Sequence, residues 1–490
     1  MPTRPIQSPS EPPRLDPIPD LPAPPRVLLD AAQVDRIQNL IRQLQQAREM
    51  DMGFVNLIHR FAFAPLSALG AASVHLQAAP DQKAFEPFTE LVRLGPRALP
   101  ALLEALDSAT PTRLQITAAM WMQYRRELPH NRGNEREQQI LATLPPLDDS
   151  QSLSGRPNAT PPYVLTVGDV CFAAIGQIVG RRYMPVRYQP TAGYVINSPT
   201  HDPVLSQAVR ALWSNSDPTR YLWDSLRRDY ASRRTDFQSA ATTRLLFYFP
   251  KQTVPLVAQR LSRLQLQATR SPKELFGPSP ASDQRFHQRE EANGVDTQEF
   301  LRAVSWCKRP AVRAQIRAAW RRASDPFLLW WALLPGLEPS DWPMVRDKLG
   351  AILDQLPRQE DGHDMGFHTL LNLRRFGGEK ARPLFRRYLT GASAQRCYTV
   401  CEILARTDGR WDREFLWPML RDRRPYDGES HPVLAKADEP RIPVRVCDQA
   451  AWAISQNRQN LRFELVGTTR QLDGQIALLR QQLSRRDHRQ

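Results

Sequence analysis

Hydrophobic positions along this chain recur in a short phrase: a proline, an apolar residue two places on, and another six places on. The phrase stands as Leu99-Pro100, Leu102, Leu106; as Val254-Pro255, Val257, Leu261; and as Pro310, Val312, Ile316. It returns as Trp342-Pro343, Val345, Leu349 and as Arg382-Pro383, Phe385, Leu389. Proline suits the first helical position, where its missing N–H has no intrahelical partner, and residues two and six beyond it lie one turn apart on one face. Each copy therefore predicts a helix start with a buried stripe. The steps of 33 and 40 residues from Pro310 to Pro343 to Pro383 fit stacked helical pairs better than one globular core. The expected fold class is all-α, an α-solenoid of antiparallel helical hairpins.

Other stretches carry the same helical period. Asp30 is placed to cap a helix in which Val34, Ile37, Ile41 and Leu44 form a stripe through about Met50. Phe88, Leu91, Val92 and Leu94 predict a helix that Gly95 ends in a left-handed conformation, with Ala98 to Leu106 as its antiparallel return. Asp296 and Glu299 read as a capping box, and the apolar run Phe327 to Pro335 as a buried helix holding Trp330 and Trp331. Near the end, Leu472, Ile476, Leu479 and Leu483 form a heptad seam of about two repeats. Such a seam packs on its own array as a capping helix, so a monomer is expected, with self-association through 468–490 as the alternative.

These phrases resemble HEAT-type repeats, in which a first helix ends in Leu-Gly and the second begins with an apolar-Pro pair. Gly378 stands five residues before Pro383, as Gly95 does before Pro100. Val444, Arg445, Asp448, Ala451 and Ile454 resemble the V-R-x-x-A phrase of such repeats, and Asp169 with Ile175 echoes the spacing of Asp448 and Ile454. The resemblance covers roughly residues 85 to 456 and is degenerate. Trp417-Pro418 has Arg424 at the sixth place, and the phrase is missing between Pro100 and Pro255. The resemblance implies an extended surface that holds partners without chemistry. Some HEAT-like arrays are DNA glycosylases or pigment lyases, but no residue here matches those active sites.

Breaks in periodicity divide the chain. Residues 1–28 read as a disordered Pro-rich tail, 29–145 as an N-terminal helical region with the first hairpin, and 146–162 as a linker. Residues 163–270 read as helical repeats with an irregular insertion at 181–203, 271–295 as a loop, 296–456 as C-terminal repeats, and 457–490 as an amphipathic helix.

A net charge of +15 invites a polyanion reading, yet 59 of the 66 basic residues are arginine, an imbalance that a GC-rich genome also produces. The five cysteines are scattered and form no C-x-x-C pair, which suits buried small hydrophobes in a reducing compartment. No apolar run is long enough to cross a bilayer, no secretory h-region stands at the start, and a cytoplasmic location is expected.

The sequence contains no G-x-S-x-G, H-E-x-x-H, Walker A or G-x-G-x-x-G signature, so neither a catalytic residue nor a cofactor is expected. Asp361, His363, Asp364 and His368 could ligate zinc or iron, but they read better as a solvated turn, and no metal is expected. Two stretches are candidates for binding. One gathers Arg181, Arg182, Arg187, Tyr188, Tyr194 and His201, combining arginine forks with rigid phenols; its alternative is a loop folded back onto the array. The other runs through Arg220, Arg227, Arg228, Arg233, Arg234 and Arg244 beside Tyr221, Trp223 and Tyr230. It reads either as a phosphate track with stacking rings or as an amphipathic helix with its rings inward and its arginines outward. The expected function is a non-catalytic scaffold for a protein or peptide partner, with nucleic-acid binding as the alternative.

Overall fold

Proline and short polar caps set where the helices begin. In the computed structural model the described residues are 22–26, 28–47, 63–67, 85–116, 121–126, 135–143, 163–189, 193–232, 234–264, 266, 297–356, 363–406, 410–426, 444–458, 461–465 and 468–487. They divide into two compact units, the first ending at Leu337 and the second running from Glu338. The boundary falls inside the stretch 296–456. The chain is mostly helical in both units.

In the first unit, α1 (Ala31–Gln43) opens on the capping box expected at Asp30: its carboxylate accepts from the Gln33 N–H, and the Gln33 side chain returns to the Asp30 N–H. Ile37 and Leu44 are buried while Val34 stays exposed, so the apolar stripe is narrower than its sequence pattern. A single turn α2 (Ala64–Ser67) precedes α3 (Glu86–Leu94) and α4 (Leu99–Glu104). Between α3 and α4, Gly95 takes φ 61° with ψ −127°, not the left-handed helical conformation expected of it, and a Cβ there would meet the Tyr248 ring at 2.5 Å.

The chain continues as β1 (Pro111–Ile116), β2 (Trp121–Tyr124), α5 (Glu135–Ala142), β3 (Tyr163–Thr166), α6 (Val167–Val179), β4 (Val186–Gln189) and β5 (Gly193–Ile196). β1 pairs antiparallel with β3, and a second sheet runs β2-β5-β4, parallel and then antiparallel. The stretch 181–203 is therefore not irregular throughout: its Val186–Gln189 and Gly193–Ile196 segments satisfy their backbone groups in a small sheet. α6 is buried on nearly all sides and lies at the centre of this part.

α7 (Pro203–Trp213), α8 (Pro218–Tyr230), α9 (Thr235–Tyr248), α10 (Pro250–Arg263), α11 (Thr297–Ser305) and α12 (Pro310–Arg322) complete the first unit's long helices. Asp202 and Asp217 cap α7 and α8, each just ahead of a first-position proline. One expectation fails here. Pro250 rather than Pro255 starts α10, and Pro255 lies inside it. Thr253 Oγ1 donates to the carbonyls of Phe249 and Leu245, and Val257 and Leu261 remain fully buried. α8 packs on α9, α9 on α11 and α10 on α12. The run after Pro326 forms a π-helical turn, Leu329–Leu333, that buries Trp330.

The second unit contains α13 (Trp342–Gln355), α14 (His363–Gly377), α15 (Arg382–Leu389), α16 (Ala394–Leu404), α17 (Val446–Asn457) and α18 (Thr469–Asp487). α13 packs on α14, α14 on α16, and α16 on α17. Gly378 has φ 53°, matching Gly95 at the equivalent place in the repeated phrase. Asp448 and Asp169 also correspond, each being the third residue of its helix and closing a capping box with the residue before it. The seam of α18 is buried within this unit: Leu472, Ile476, Leu479 and Leu483 are 2–7% exposed, while Leu478 on the far face is 56% exposed. No helix among the described residues is long and apolar enough to cross a membrane.

Candidate functional site

Three polar assemblies in the first unit contain the residues singled out from sequence. The first surrounds Asp169. Thr166 caps α6 and donates its backbone N–H to Asp169 Oδ2 at 2.9 Å, which also accepts from the Tyr163 hydroxyl at 2.8 Å. Ser198, in the turn before α7, donates to Asp169 Oδ1 at 2.5 Å and lies 3.0 Å from His201 Nδ1. Thr200 bonds to both Ser198 and His201, and the His201 ring clusters with those of Tyr124 and Tyr163, which also meet each other. Burial pushes the Asp169 carboxyl above its ordinary value against the pull of four hydrogen bonds.

Serine, histidine and aspartate meet here in an order unsuited to nucleophilic catalysis. Activation needs histidine between the carboxylate and the hydroxyl, so that the imidazole takes the hydroxyl proton. Ser198 is itself the middle member, and its proton is committed to Asp169. The arrangement ties the start of α6 to the turn before α7. Arg126 completes the tie by pairing through two bonds with Asp202, the α7 cap.

The second assembly draws Arg181 into the core. Its Nε donates to Glu137 Oε2 at 2.9 Å, its Nη1 lies 2.7 Å from Asp229 Oδ2, and its guanidinium stacks over Phe237 at 4.5 Å. Burial opposes the charge, but Asp229 and Glu137 outweigh it and hold the guanidinium protonated well above its ordinary value. Arg181 is therefore a structural cation and not part of a binding surface, which corrects the sequence expectation. Gly176 makes this possible: a Cβ there would lie 2.7 Å from the Arg181 carbonyl oxygen and from Tyr183 Cβ. Tyr183 stacks on Phe172 and accepts from the Trp213 indole at 2.9 Å. Of the rest of that candidate set, the β4–β5 pairing sets Tyr188 opposite Tyr194 and Arg187 opposite Val195. Arg182 is exposed, and Arg187, Tyr194 and His201 are half-buried; the Tyr188 side chain lies outside the described residues.

Arg244 needs the same correction. It is buried on α9, donates to the carbonyls of Gln177 and Ala240, and packs over Phe63. Burial lowers its pKa to about 10.

The third assembly is the outer face of α8. Tyr221, Trp223 and Tyr230 are 9%, 0% and 7% exposed, so the rings face inward. Arg220 and Arg228 are exposed, Arg227 and Arg234 are half-buried, and Arg233 lies outside the described residues. Arg234 pairs with Asp236 at 3.1 Å, and Arg227 lies over the Trp223 ring. Asp229 on the same helix turns inward to Arg181. Arg136 on α5 lies over the Tyr221 ring, 4.3 Å from its centre, a contact that sequence reasoning missed because the two residues are far apart in the chain.

In the second unit, α14 takes in His363, Asp364 and His368; Asp361 lies outside the described residues. No group of three or more candidate metal ligands exists among the described residues. All five cysteines are buried and unpaired, and burial pushes the Cys447 thiol up to about 11 and Cys401 well above its ordinary value.

No family model, curated protein or solved structure matches this chain.

Proposed function

We propose that this chain is a non-catalytic binding scaffold, its hairpins HEAT-like and stacked as in an α-solenoid, that holds a protein or peptide partner. The observation supporting this is a division of labour among its arginines. Arg181 and Arg244 are consumed by the fold, whereas Arg220 and Arg228 stand exposed on α8 and make no ion pair among the described residues. A cation that the fold does not use is available to a partner.

Nucleic acid is the second reading. It loses one of its two supports, because rings turned into the core cannot stack on bases and phosphate contact alone remains. Immobilised chain exposed to lysate of its source cells, with and without nuclease and at two salt concentrations, separates the readings. Defined proteins retained in stoichiometric amount after nuclease treatment support the scaffold. Recovery of nucleic acid alone, lost as salt rises, replaces it with polyanion binding.

A further inference from the structure

We propose that the outer face of α8, with Arg136 beside it, is a docking surface for an extended acidic peptide segment of a partner protein. The inference rests on the scaffold reading and assigns that scaffold a site and a ligand chemistry.

Three cations lie on or beside this face. Arg220 and Arg228 are exposed on α8, eight residues apart and so on one side of the helix. Arg136 reaches it from α5 and is fixed by the Tyr221 ring. Burial raises the Tyr221 phenol; Arg136 opposes that rise, Glu137 adds to it and Arg228 opposes it, so all three charges lie near this ring. None of the three forms an ion pair with a described residue. A guanidinium held over a ring spends none of its N–H groups on that contact, and a carboxylate can meet them by two parallel bonds.

Spacing and charge favour a peptide over a nucleic-acid strand. Eight residues separate Arg220 from Arg228, about 12 Å along a helix. An extended peptide places residues four apart on one side and about 13 Å from each other. Acidic residues at that interval meet both arginines. Midway between them on α8 stands Asp224, half-exposed and unpaired among the described residues. A nucleic-acid duplex carries one charge per about 1.7 Å of axis and would press phosphates on that carboxylate. A peptide can present an uncharged residue there. With Tyr221 and Trp223 turned inward, the face also offers no ring for a base.

The test is fluorescence anisotropy with the full chain and two labelled probes, a short peptide with Glu at every fourth position and Ser between, and a thymidylate oligonucleotide of equal length. Wild type is expected to bind the peptide more tightly than the oligonucleotide, with affinity falling as salt rises. The combined variant Arg136→Gln, Arg220→Gln, Arg228→Gln is expected to lose about tenfold in peptide affinity. Should that variant unfold by circular dichroism, Arg220→Gln with Arg228→Gln serves instead, both side chains being exposed. Equal peptide affinity in wild type and folded variant, absence of peptide binding at low salt, or tighter binding of the oligonucleotide overturns the proposal. If the variant still retains the nuclease-resistant partner while the peptide fails, only this site assignment falls. If wild type retains no such partner, the scaffold reading itself falls.

Discussion

Arg181 and Asp229 form a buried ion pair, 2.7 Å between Nη1 and Oδ2, that joins the segment after α6 to α8 across 48 positions of sequence. Glu137 closes the cluster from α5. Both carboxylates are almost without water, so removing the cation leaves two buried negative charges facing each other. Arg181→Ala is therefore expected to destabilise the first unit by about 3–5 kcal/mol. Urea unfolding followed by circular dichroism measures the loss; a change near zero would show that the cluster contributes little.

Asp169 supplies a pH test. Its folded-state pKa lies above the ordinary value of 3.8, so the folded chain holds a proton that the unfolded chain has released. Stability contributed by this group is complete below the unfolded value and is lost as pH rises through the folded value. Asp169→Asn removes the titration while keeping an oxygen that can accept. The stability of wild type relative to Asp169→Asn is expected to fall as pH rises from about 3.8 towards neutrality. Denaturant midpoints across that range would contradict the assignment if the difference were flat or rose.

Gly95 and Gly378 occupy one place in the repeated phrase and both have positive φ, yet their surroundings differ. A Cβ at Gly378 meets nothing within 4 Å, whereas at Gly95 it runs into the Tyr248 ring. Gly378→Ala should cost only the left-handed backbone penalty of about 1–2 kcal/mol. Gly95→Ala carries at least that backbone penalty, since φ 61° with ψ −127° lies outside even the left-handed region, and adds overpacking of about 1–3 kcal/mol. Thermal unfolding of the two variants should rank Gly95→Ala as the more damaging, and the reverse order would contradict the packing at Tyr248.

The buried seam of α18 predicts a stability effect without a mass effect. Leu479→Ala should destabilise the second unit by about 2–5 kcal/mol. Light scattering of the wild type should give the mass of one chain, and deletion of residues 468–490 should lower it only by the residues removed. A halving of mass on deletion would identify the seam as a dimer contact instead.

The helical parts were legible because their signals are local. Asp30, Pro100, Pro310 and Pro343 act through neighbours within a turn, and Val312, Ile316, Val345 and Leu349 were all buried where the phrase placed them. Pro255 shows the limit: two prolines five residues apart competed for one helix start, and Pro250 took it. The inward turn of Arg181 was illegible because its partners are 44 and 48 residues away and its approach depends on the missing side chain of Gly176. The same distance hid Arg136 on Tyr221. The inward rings of α8, by contrast, follow the helical spacing of Tyr221, Leu222, Leu226 and Tyr230, which the sequence displays openly.

Binding without chemistry is the central claim, and intact-mass spectrometry of the captured partner tests it most directly. The partner, incubated with a small fraction of its amount of this chain and separately with an equal amount, is predicted to keep its mass in both and to form a stoichiometric complex in the second. A change in partner mass that continues with time when the chain is scarce would mean turnover and would contradict the account.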